Sequence, residues 1–505
     1  MSLIQISHLS FRYDGGTEEL FQDVSLNLDS GWHLGLLGRN GRGKTTFLHL
    51  LEGRYAYRGT IKASVDFSYF PYQVENPQKS AGEVVRAVVP EHETWQLEKE
   101  LRQLKVNLET LERPFHTLSK GEQTKVLLAA LFLRDHSFLL IDEPTNHLDL
   151  TGRNLVQSYL RTKSGYILVS HDRAFLDGCV DHILAINRAN LELQSGTCTT
   201  WLQNKALQDR FELEQNEKLG GEIKRLKRAA GRAANWSDQV EKSKNGTRKS
   251  GLRPDKGYIG HQAAKMMKRS KNIELRREKA IEEKGKLLNN LEQVDPIRIQ
   301  PLSYHRQSLL TLRQVSIAHN GVYSFEPIDL TLSQGERIAL VGENGVGKSS
   351  LLKRLMGEPL CSSGTIQMGS GLVLSYVAQD TAALTGTLRT YCQTRQIDLT
   401  QLLTMLRKFG FSREQLEVPI AAMSHGQKKK ILLAASLCER AHLYLWDEPL
   451  NYLDLDARMQ LEQMLKACEP TMVFVEHDAA FCAAVATREV RLKACGHHQK
   501  EIKKI

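Results

Sequence analysis

The chain has 505 residues, with 68 Lys and Arg against 58 Asp and Glu for a formal net charge of +10, 41% hydrophobic and 25% charged; at roughly 150 residues per domain this suggests two to four globular domains. The longest apolar runs, such as Val126 to Leu133, fall far short of the ~20 residues that span a bilayer, and Met1-Ser2-Leu3-Ile4-Gln5-Ile6 has no basic or long apolar stretch, so neither a membrane-embedded protein nor a secretory signal is expected. Eight scattered cysteines contain no Cys-x-x-Cys pair, which argues against a zinc ribbon or a disulfide framework and fits a reducing cytoplasm.

In chain order, the first strong signal is a predicted strand, Trp32 to Leu37, running into Gly38-Arg39-Asn40-Gly41-Arg42-Gly43-Lys44-Thr45-Thr46 and then a helix. This is the G-x-x-x-x-G-K-[ST] phosphate loop in the context it requires. The glycines Gly38, Gly41 and Gly43 let backbone N–H groups close around a β-phosphate, and the following helix offers its positive N-terminus to the same anion. Lys44 is expected to reach the β- and γ-phosphates and Thr45 to offer a hydroxyl to Mg²⁺. Phe138 to Ile141 reads as a buried strand ending in Asp142 and Glu143. Asp142 is expected to hold the magnesium, and Glu143 to orient and polarise an attacking water. A further strand, Tyr166 to Val169, precedes His171, placed to bond a γ-phosphate.

The middle of the chain carries the charge. Between Lys205 and Arg298 there are 24 basic and 14 acidic residues, so the rest of the chain is neutral; within Lys224 to Lys271 the count is 15 against 3. Trp201 to Ala233 has Leu207, Phe211, Leu219, Ile223 and Leu226 at helical spacing, and Ala263 to Leu291 has Met266, Ile273, Ile281 and Leu288. Asn245-Gly246, Gly251, Pro254 and Gly257 interrupt any helix between them. The pattern predicts a helical hairpin, each arm about 45 Å long, with an irregular tip over residues 235–262. So concentrated a positive charge suits a polyanion, and RNA phosphate contacts are expected from Lys242, Lys244, Arg248, Lys249, Arg253, Lys256, Lys265, Lys268, Arg269 and Lys271. Tyr258 is a candidate to stack on a base or to pack within the hairpin.

Beyond this segment the first part repeats. Arg337 to Val341 leads into Gly342-Glu343-Asn344-Gly345-Val346-Gly347-Lys348-Ser349-Ser350; Leu443 to Trp446 ends in Asp447-Glu448; Met472 to Val475 precedes His477. The offsets from the first copy are 304, 305 and 306 residues, so the chain holds two copies of one domain. Lys348, Ser349, Asp447, Glu448 and His477 take the same expected roles as Lys44, Thr45, Asp142, Glu143 and His171.

Other stretches bring a resemblance. Leu118-Ser119-Lys120-Gly121-Glu122-Gln123 and Met423-Ser424-His425-Gly426-Gln427 resemble the signature sequence of ATP-binding-cassette ATPases. Gln73 and Gln379 sit where that superfamily has its Q-loop glutamine, a further magnesium ligand. Asn146-His147-Leu148-Asp149 and Asn451-Tyr452-Leu453-Asp454 look like its D-loops. The resemblance implies an α/β fold: two P-loop cassettes at residues 1–200 and 306–505, joined by a long basic helical hairpin at 201–305. It implies cassettes that face head to tail within a monomer and bury two ATP molecules with Mg²⁺. Ser424 and Gly426 would complete the site of Lys44, and Ser119 and Gly121 that of Lys348. Lys120 and His425 replace the first signature glycine, and Tyr13, where an aromatic stacks on adenine, is matched by His319.

Two cassettes, no membrane domain and a basic helical linker together resemble the ABC-F group, whose members act on the ribosome. Gly38 to Thr46, Met267-Lys268-Arg269-Ser270-Lys271 and Trp446 to Asp454 are similar to the Vga/Lsa class of resistance proteins. That resemblance implies a cytoplasmic partner of the 70S ribosome, contacting 23S rRNA and P-site tRNA, that dislodges lincosamides, pleuromutilins and streptogramins A. Gln73 to Ser119 spans 46 residues and Gln379 to Ser424 spans 45, so the first cassette carries no long inserted arm. A short arm would lie within Glu91 to Arg113, where Leu97, Leu101, Leu104, Leu108 and Leu111 look helical; the alternative for this stripe is ordinary core packing. A housekeeping ABC-F translation factor and the ATPase half of an exporter are the alternatives.

Overall fold

The computed structural model describes residues 3–15, 19–134, 137–146, 148–187, 191–211, 299–319, 321–382 and 384–495, with separate helical positions between 214 and 279. The chain divides into two compact units: Met1–Thr199 with Val294–Ile505, and Thr200–Gln293.

The first unit contains two cassettes of like topology. In each, a parallel sheet is flanked by helices and joined to a smaller antiparallel sheet. The first parallel sheet runs in the order Asp66–Phe70, Ser137–Asp142, Tyr166–Val169, His33–Gly38, His182–Ile186, with Leu191–Ser195 added antiparallel at the edge. The second runs Leu374–Val377, Leu443–Asp447, Met472–Val475, Arg337–Val341, Arg488–Arg491. The central strands are apolar throughout because both faces are covered, as a parallel sheet requires. Phe138 to Ile141 and Leu443 to Trp446 are all buried.

This order decides where a ligand goes. The strands that feed the two Gly-rich loops lie inside their sheets, between Tyr166–Val169 and His182–Ile186 in the first and between Met472–Val475 and Arg488–Arg491 in the second. Both loops therefore leave at the carboxyl ends of parallel strands, where such sheets bind ligands. The loops turn there into the helices Lys44–Leu51 and Lys348–Leu355. The residues before them, Gly43 and Gly347, have φ of 90° and 102°. A Cβ on Gly43 would also lie 2.7 Å from the Leu20 side chain, so only glycine fits. The apolar run around Val126 is the inner part of a helix, Lys120–Phe132, whose residues Val126 to Leu131 are all buried.

The stretch expected as a short arm is two elements. A helix spans Thr94–Gln103 and a 3₁₀ turn Leu108–Glu112, separated at Lys105 with φ of 50°. Leu97, Leu101 and Leu104 are buried, so their spacing reports core packing.

In the second unit, residues 201–211 are helical, as are the described positions from Gly257 to Lys279. Gly257 and His261 correct the sequence reading, which placed them in an irregular tip and began the second helix at Ala263. A lone glycine costs a helix only about 1 kcal/mol relative to alanine and does not end it by itself. Lys265, Lys268 and Lys271 are helical and exposed. Lys242, Lys244, Arg248, Lys249, Arg253, Lys256, Tyr258 and Arg269 lie outside the described residues.

Candidate functional site: two composite nucleotide clefts

In the first cassette the Lys44 ammonium is buried and turned back on its own loop, bonding the Gly38 carbonyl at 2.7 Å and the Arg39 carbonyl at 3.2 Å. Lys348 does the same with Gly342 and Glu343 at 2.8 and 2.9 Å. Burial lowers the pKa of both, opposed by nearby carboxylates. Each ammonium is thus held over the space the loop encloses, with backbone carbonyls as its present acceptors. Thr45 Oγ1 donates to Asp142 Oδ2 at 2.7 Å, so the hydroxyl and carboxylate expected to share a cation already touch. Tyr69 adds a second donor to the same oxygen at 3.1 Å.

Glu143 and Glu448 begin the turn after their strands, in left-handed backbone with φ of 50° and 49°. Each N–H reaches the neighbouring strand, at Val169 and Val475, which fixes the carboxylates at the sheet edge. His171 Nε2 lies 3.4 Å from Glu143 Oε1, and His477 Nε2 lies 3.7 Å from Glu448 Oε1. Histidine and glutamate therefore meet in both sites, next to the phosphate loop.

The environments of the two glutamates differ. Burial pushes the Glu143 carboxyl up to about 7, Asp142 adds to this, and Arg458, Lys44 and Arg153 oppose it. Glu448 is half-buried, and His477, Lys429 and Gln379 outweigh its desolvation and lower its pKa. Its oxygens accept from Gln379 Nε2 at 3.1 Å and Asn451 Nδ2 at 2.8 Å. Gln379 also lies 3.4 Å from the Ser349 hydroxyl, whereas Gln73 is exposed.

Both clefts are completed by the opposite cassette. Asn40 of the first loop donates its backbone N–H to Asp454 Oδ2 at 3.0 Å and its side-chain amide to the Tyr452 carbonyl at 2.9 Å. In the second site a cavity of about 530 Å³ is lined by Ser119, Lys120 and Gly121 from the first cassette and by Asn344, Gly347, Lys348, Ser349 and Ser350 from the second. Ser119 and Ser424 cap the helices behind them through reciprocal bonds with Glu122 and Gln427, which aims each helix N-terminus at the cleft. A Cβ on Gly426 would lie 3.0 Å from the Tyr452 ring, so the D-loop closes over this glycine.

The departures from the signature have definite places. Lys120 lines the second cleft and bonds Gln123 Oε1 at 3.3 Å. His425 Nδ1 is 2.9 Å from Thr381 Oγ1, two residues past Gln379. Tyr13 OH shares a 2.6 Å hydrogen bond with Thr46, and His319 Nε2 lies 2.8 Å from Ser350 Oγ; the histidine keeps the tyrosine's anchor with a smaller ring.

The donor set suits magnesium. Both Asp447 oxygens are buried without a protein hydrogen bond, and burial raises this carboxyl's pKa. One carboxylate, one hydroxyl and one amide oxygen per site are hard ligands that leave room for phosphate oxygens, as Mg²⁺ prefers. Thr45, Asp142 and Gln73 would hold it in the first site and Ser349, Asp447 and Gln379 in the second, where it would neutralise charge developing on a transferred phosphoryl group.

Several residues of the site were not singled out from sequence. Lys429 is buried, with Nζ on the Ala378 and Asp447 carbonyls at 2.7 and 2.6 Å; its counterpart is Thr124. Glu476 accepts from the Leu450 N–H at 2.7 Å, where the first cassette has a Thr145–Ser170 hydroxyl pair at 3.2 Å. Arg153 and Arg458 are buried in both cassettes. Their offset of 305 residues matches that of Asp142 and Asp447, and aligning the two copies would have found them.

The comparisons with known proteins agree with this geometry. The ABC transporter family matches at residues 21–146 and 325–451, together half of the chain. The ribosome protection protein VmlR of Bacillus subtilis is 28% identical over 481 residues, covering 93% of this chain and 83% of VmlR. The probable ATP-binding protein YheS of Escherichia coli K12 is 28% identical over 526 residues, covering 94% and 76%. Among solved structures, archaeal ribosome recycling factor aABCE1, in complex with the ribosomal stalk protein aP1, superposes with a TM-score of 0.65 at 20% identity, covering 97% of this chain and 88% of that one. The RNase-L inhibitor gives a TM-score of 0.62 at 20% identity with the same coverage. These likenesses establish the fold of two cassettes, and among the described residues no helix is long and apolar enough to cross a membrane. The family match, the doubled phosphate loops and the clefts shared between cassettes together make the chain a member of the ABC transporter family, a tandem ATP-hydrolysing enzyme of the ABC-F type.

Proposed function

We propose that this ATPase is a cytoplasmic ribosome-protection factor of the Vga/Lsa type. In its ATP-closed form it enters near the tRNA exit site of the 70S ribosome. The segment between its cassettes then displaces lincosamides, pleuromutilins or streptogramins A from the peptidyl transferase centre, and hydrolysis releases the protein. The observation that carries this reading is the excess of 12 positive charges over the 48 residues from Lys224 to Lys271. Rigid-body closure of two cassettes needs no such block, whereas a segment threading between rRNA and P-site tRNA meets phosphates on all sides. Lys265, Lys268 and Lys271, exposed on helix, are the described residues proposed to make those contacts, with Lys242, Lys244, Arg248, Lys249, Arg253, Lys256, Tyr258 and Arg269. The likeness to VmlR, a ribosome protection protein, supports it.

The catalytic assignments belong to the same reading. Glu143 and Glu448 orient water, His171 and His477 bond the γ-phosphate, and Tyr13 and His319 hold adenine. Ser119 with Gly121 and Ser424 with Gly426 clamp the phosphate from across the interface. Binding ATP at both clefts draws the cassettes together, and loss of one phosphate releases them.

The test is protein synthesis in a bacterial cell-free system stalled by a lincosamide. Added protein with ATP should restore synthesis, and a non-hydrolysable ATP analogue should not. ATP-dependent ribosome binding without recovery would instead identify a translation factor that acts without a drug. Cosedimentation with membranes and not with ribosomes would point to an exporter ATPase.

A further inference from the structure

One arginine recurs in both cassettes with the same neighbours. Arg153 lies one turn into the helix that follows the first D-loop. Its Nε bonds the Leu148 carbonyl of that loop at 3.1 Å, and its Nη1 reaches Asp172 Oδ2 at 2.6 Å. Arg458 repeats this, with Nε to the Leu453 carbonyl at 3.1 Å and Nη1 to Asp478 Oδ2 at 3.4 Å. Asp172 and Asp478 immediately follow His171 and His477, and their other oxygens cap the next helix at 3.0 Å from Phe175 and Phe481 N. The aspartates are therefore fixed, and a planar guanidinium spans from each to a D-loop carbonyl, a fork geometry lysine does not supply.

The two ends of this link belong to different sites. Asp172 adjoins the histidine of the first site. The D-loop held by Arg153 ends in Asp149, and Arg153 itself lines the second cleft with Lys348, Glu448 and His477. In the other direction, Asp478 adjoins the histidine of the second site, while the D-loop held by Arg458 presents Asp454 Oδ2 to the Asn40 N–H of the first phosphate loop. Arg173, the residue after Asp172, is ion-paired with Glu462 of the second cassette, so the first histidine loop is tied across the interface by a second contact.

We propose that Arg153 and Arg458 are positioning residues that couple the two ATP sites, each tying the loop that carries one site's histidine to the D-loop that completes the other site. A phosphate that moves His171 moves Asp172 and, through Arg153, the D-loop at the second cleft; Arg458 carries the reverse message. The inference rests on the proposed catalytic roles of Glu143 and Glu448, and its test separates the two.

With Glu143→Gln, the first site binds ATP without turning it over, and phosphate release reports the second site alone. Adding Lys44→Ala empties the first site. The ratio of second-site kcat between these two proteins measures coupling, expected at about tenfold. Arg153→Met, which keeps the side chain's length and bulk, should reduce that ratio to less than about twofold. Asp172→Asn should do the same while keeping the helix cap, since asparagine caps as well as aspartate. Melting temperatures of both variants, read beside the ratio, identify any loss caused by unfolding. A purely structural arginine would lower stability and leave the ratio intact. A ratio that stays near tenfold in folded Arg153→Met and Asp172→Asn overturns the proposal, as does a ratio near one when Arg153 is present. Turnover that survives Glu143→Gln together with Glu448→Gln would fault the glutamate assignment alone; the coupling would then be read as the ratio of second-site ATP retention with Lys44 intact to that with Lys44→Ala, compared with and without Arg153→Met.

Discussion

The two clefts share their motifs almost residue for residue and differ in charge. At three buried positions the first cassette has neutral groups: Thr124, and the Thr145–Ser170 hydroxyl pair. The second cassette puts an ammonium, Lys429, and a carboxylate, Glu476, into the corresponding buried positions. Burial pushes the Glu143 carboxyl up to about 7, whereas the hydrogen bond and charge of His477, followed by Lys429 and Gln379, outweigh burial at Glu448 and lower its pKa. Motif identity fixes where a carboxylate stands, while the hydrogen bonds and charges that reach it decide its protonation. A water-orienting base is effective only when ionised, so the second site should carry the larger share of turnover.

The sharpest way to break this comparison is to remove each base in turn. Glu448→Gln should lower steady-state phosphate release about 100-fold. Glu143→Gln should cost less than about tenfold, because the base it removes is only partly ionised near neutral pH. Equal losses, or a larger loss from Glu143→Gln, would show that the charge difference does not reach the chemistry.

The next effect concerns Lys429 itself. Lys429→Met keeps the side chain's bulk and strips the Ala378 and Asp447 carbonyls of their donor. Leaving buried carbonyls unpaired costs about 1–3 kcal/mol, partly offset because the ammonium no longer has to be desolvated. Denaturant unfolding should show this loss, and second-site turnover should fall with it. Thr124→Lys, which replaces a buried hydroxyl bonded to the Lys120 carbonyl with a longer ammonium that must be desolvated, should be destabilising as well. If Lys429→Met were neutral in both measurements, the ammonium would be a bystander to the difference between the glutamates.

How far the sequence alone reaches is also set by this contrast. The phosphate loops and the Asp-Glu pairs were legible because each is a local pattern, glycines where φ must be positive and an apolar strand ending in acid, while the signature stretches were legible by their resemblance to the cassette signature sequence. Lys429 was not legible, because its meaning comes from carbonyls at Ala378 and Asp447 that only the folded sheet brings beside it. Arg153 and Arg458 were hidden for the same reason, though their common offset marked them. The leucine stripe from Leu97 to Leu111 left a short arm and core packing both open: its spacing is helical, but the helix ends before Lys105 and the first three leucines are buried, as core packing requires. Gly257 was read as a helix breaker, yet it is itself helical, as is His261.

A smaller difference lies at the adenine end. Tyr13 and His319 are anchored alike, through Thr46 and Ser350, so the ring presented to the base should be what differs. Tyr13→Phe removes one hydrogen bond and should weaken ATP binding at the first site by about fivefold at most. His319→Tyr should strengthen the second site by about fivefold at most, as a larger aromatic face stacks better. Calorimetric titration with both catalytic glutamates changed to glutamine reads these affinities without turnover. No response to His319→Tyr would mean that His319 points away from the base.

A last contrast lies in the neighbours of the histidine loops. In the first cassette Thr145 and Ser170 bond each other; in the second, Leu450 offers only its backbone N–H, and Glu476 accepts it. Glu476 also accepts from the His477 N–H at 3.0 Å, so the carboxylate satisfies two backbone donors that a serine cannot reach together. Burial raises its pKa, the mark of a carboxyl kept in place by these contacts and not by solvation. Glu476→Ser alone should therefore destabilise by about 1–3 kcal/mol through unpaired N–H groups. Adding Leu450→Thr restores a hydroxyl partner in the arrangement the first cassette already uses. The double variant should recover most of the loss, with a coupling energy of about 0.5–3 kcal/mol typical of residues in direct contact. Additive losses would mean that the two cassettes differ in backbone path here, and that the hydroxyl pair and the carboxylate are not interchangeable solutions to one packing problem.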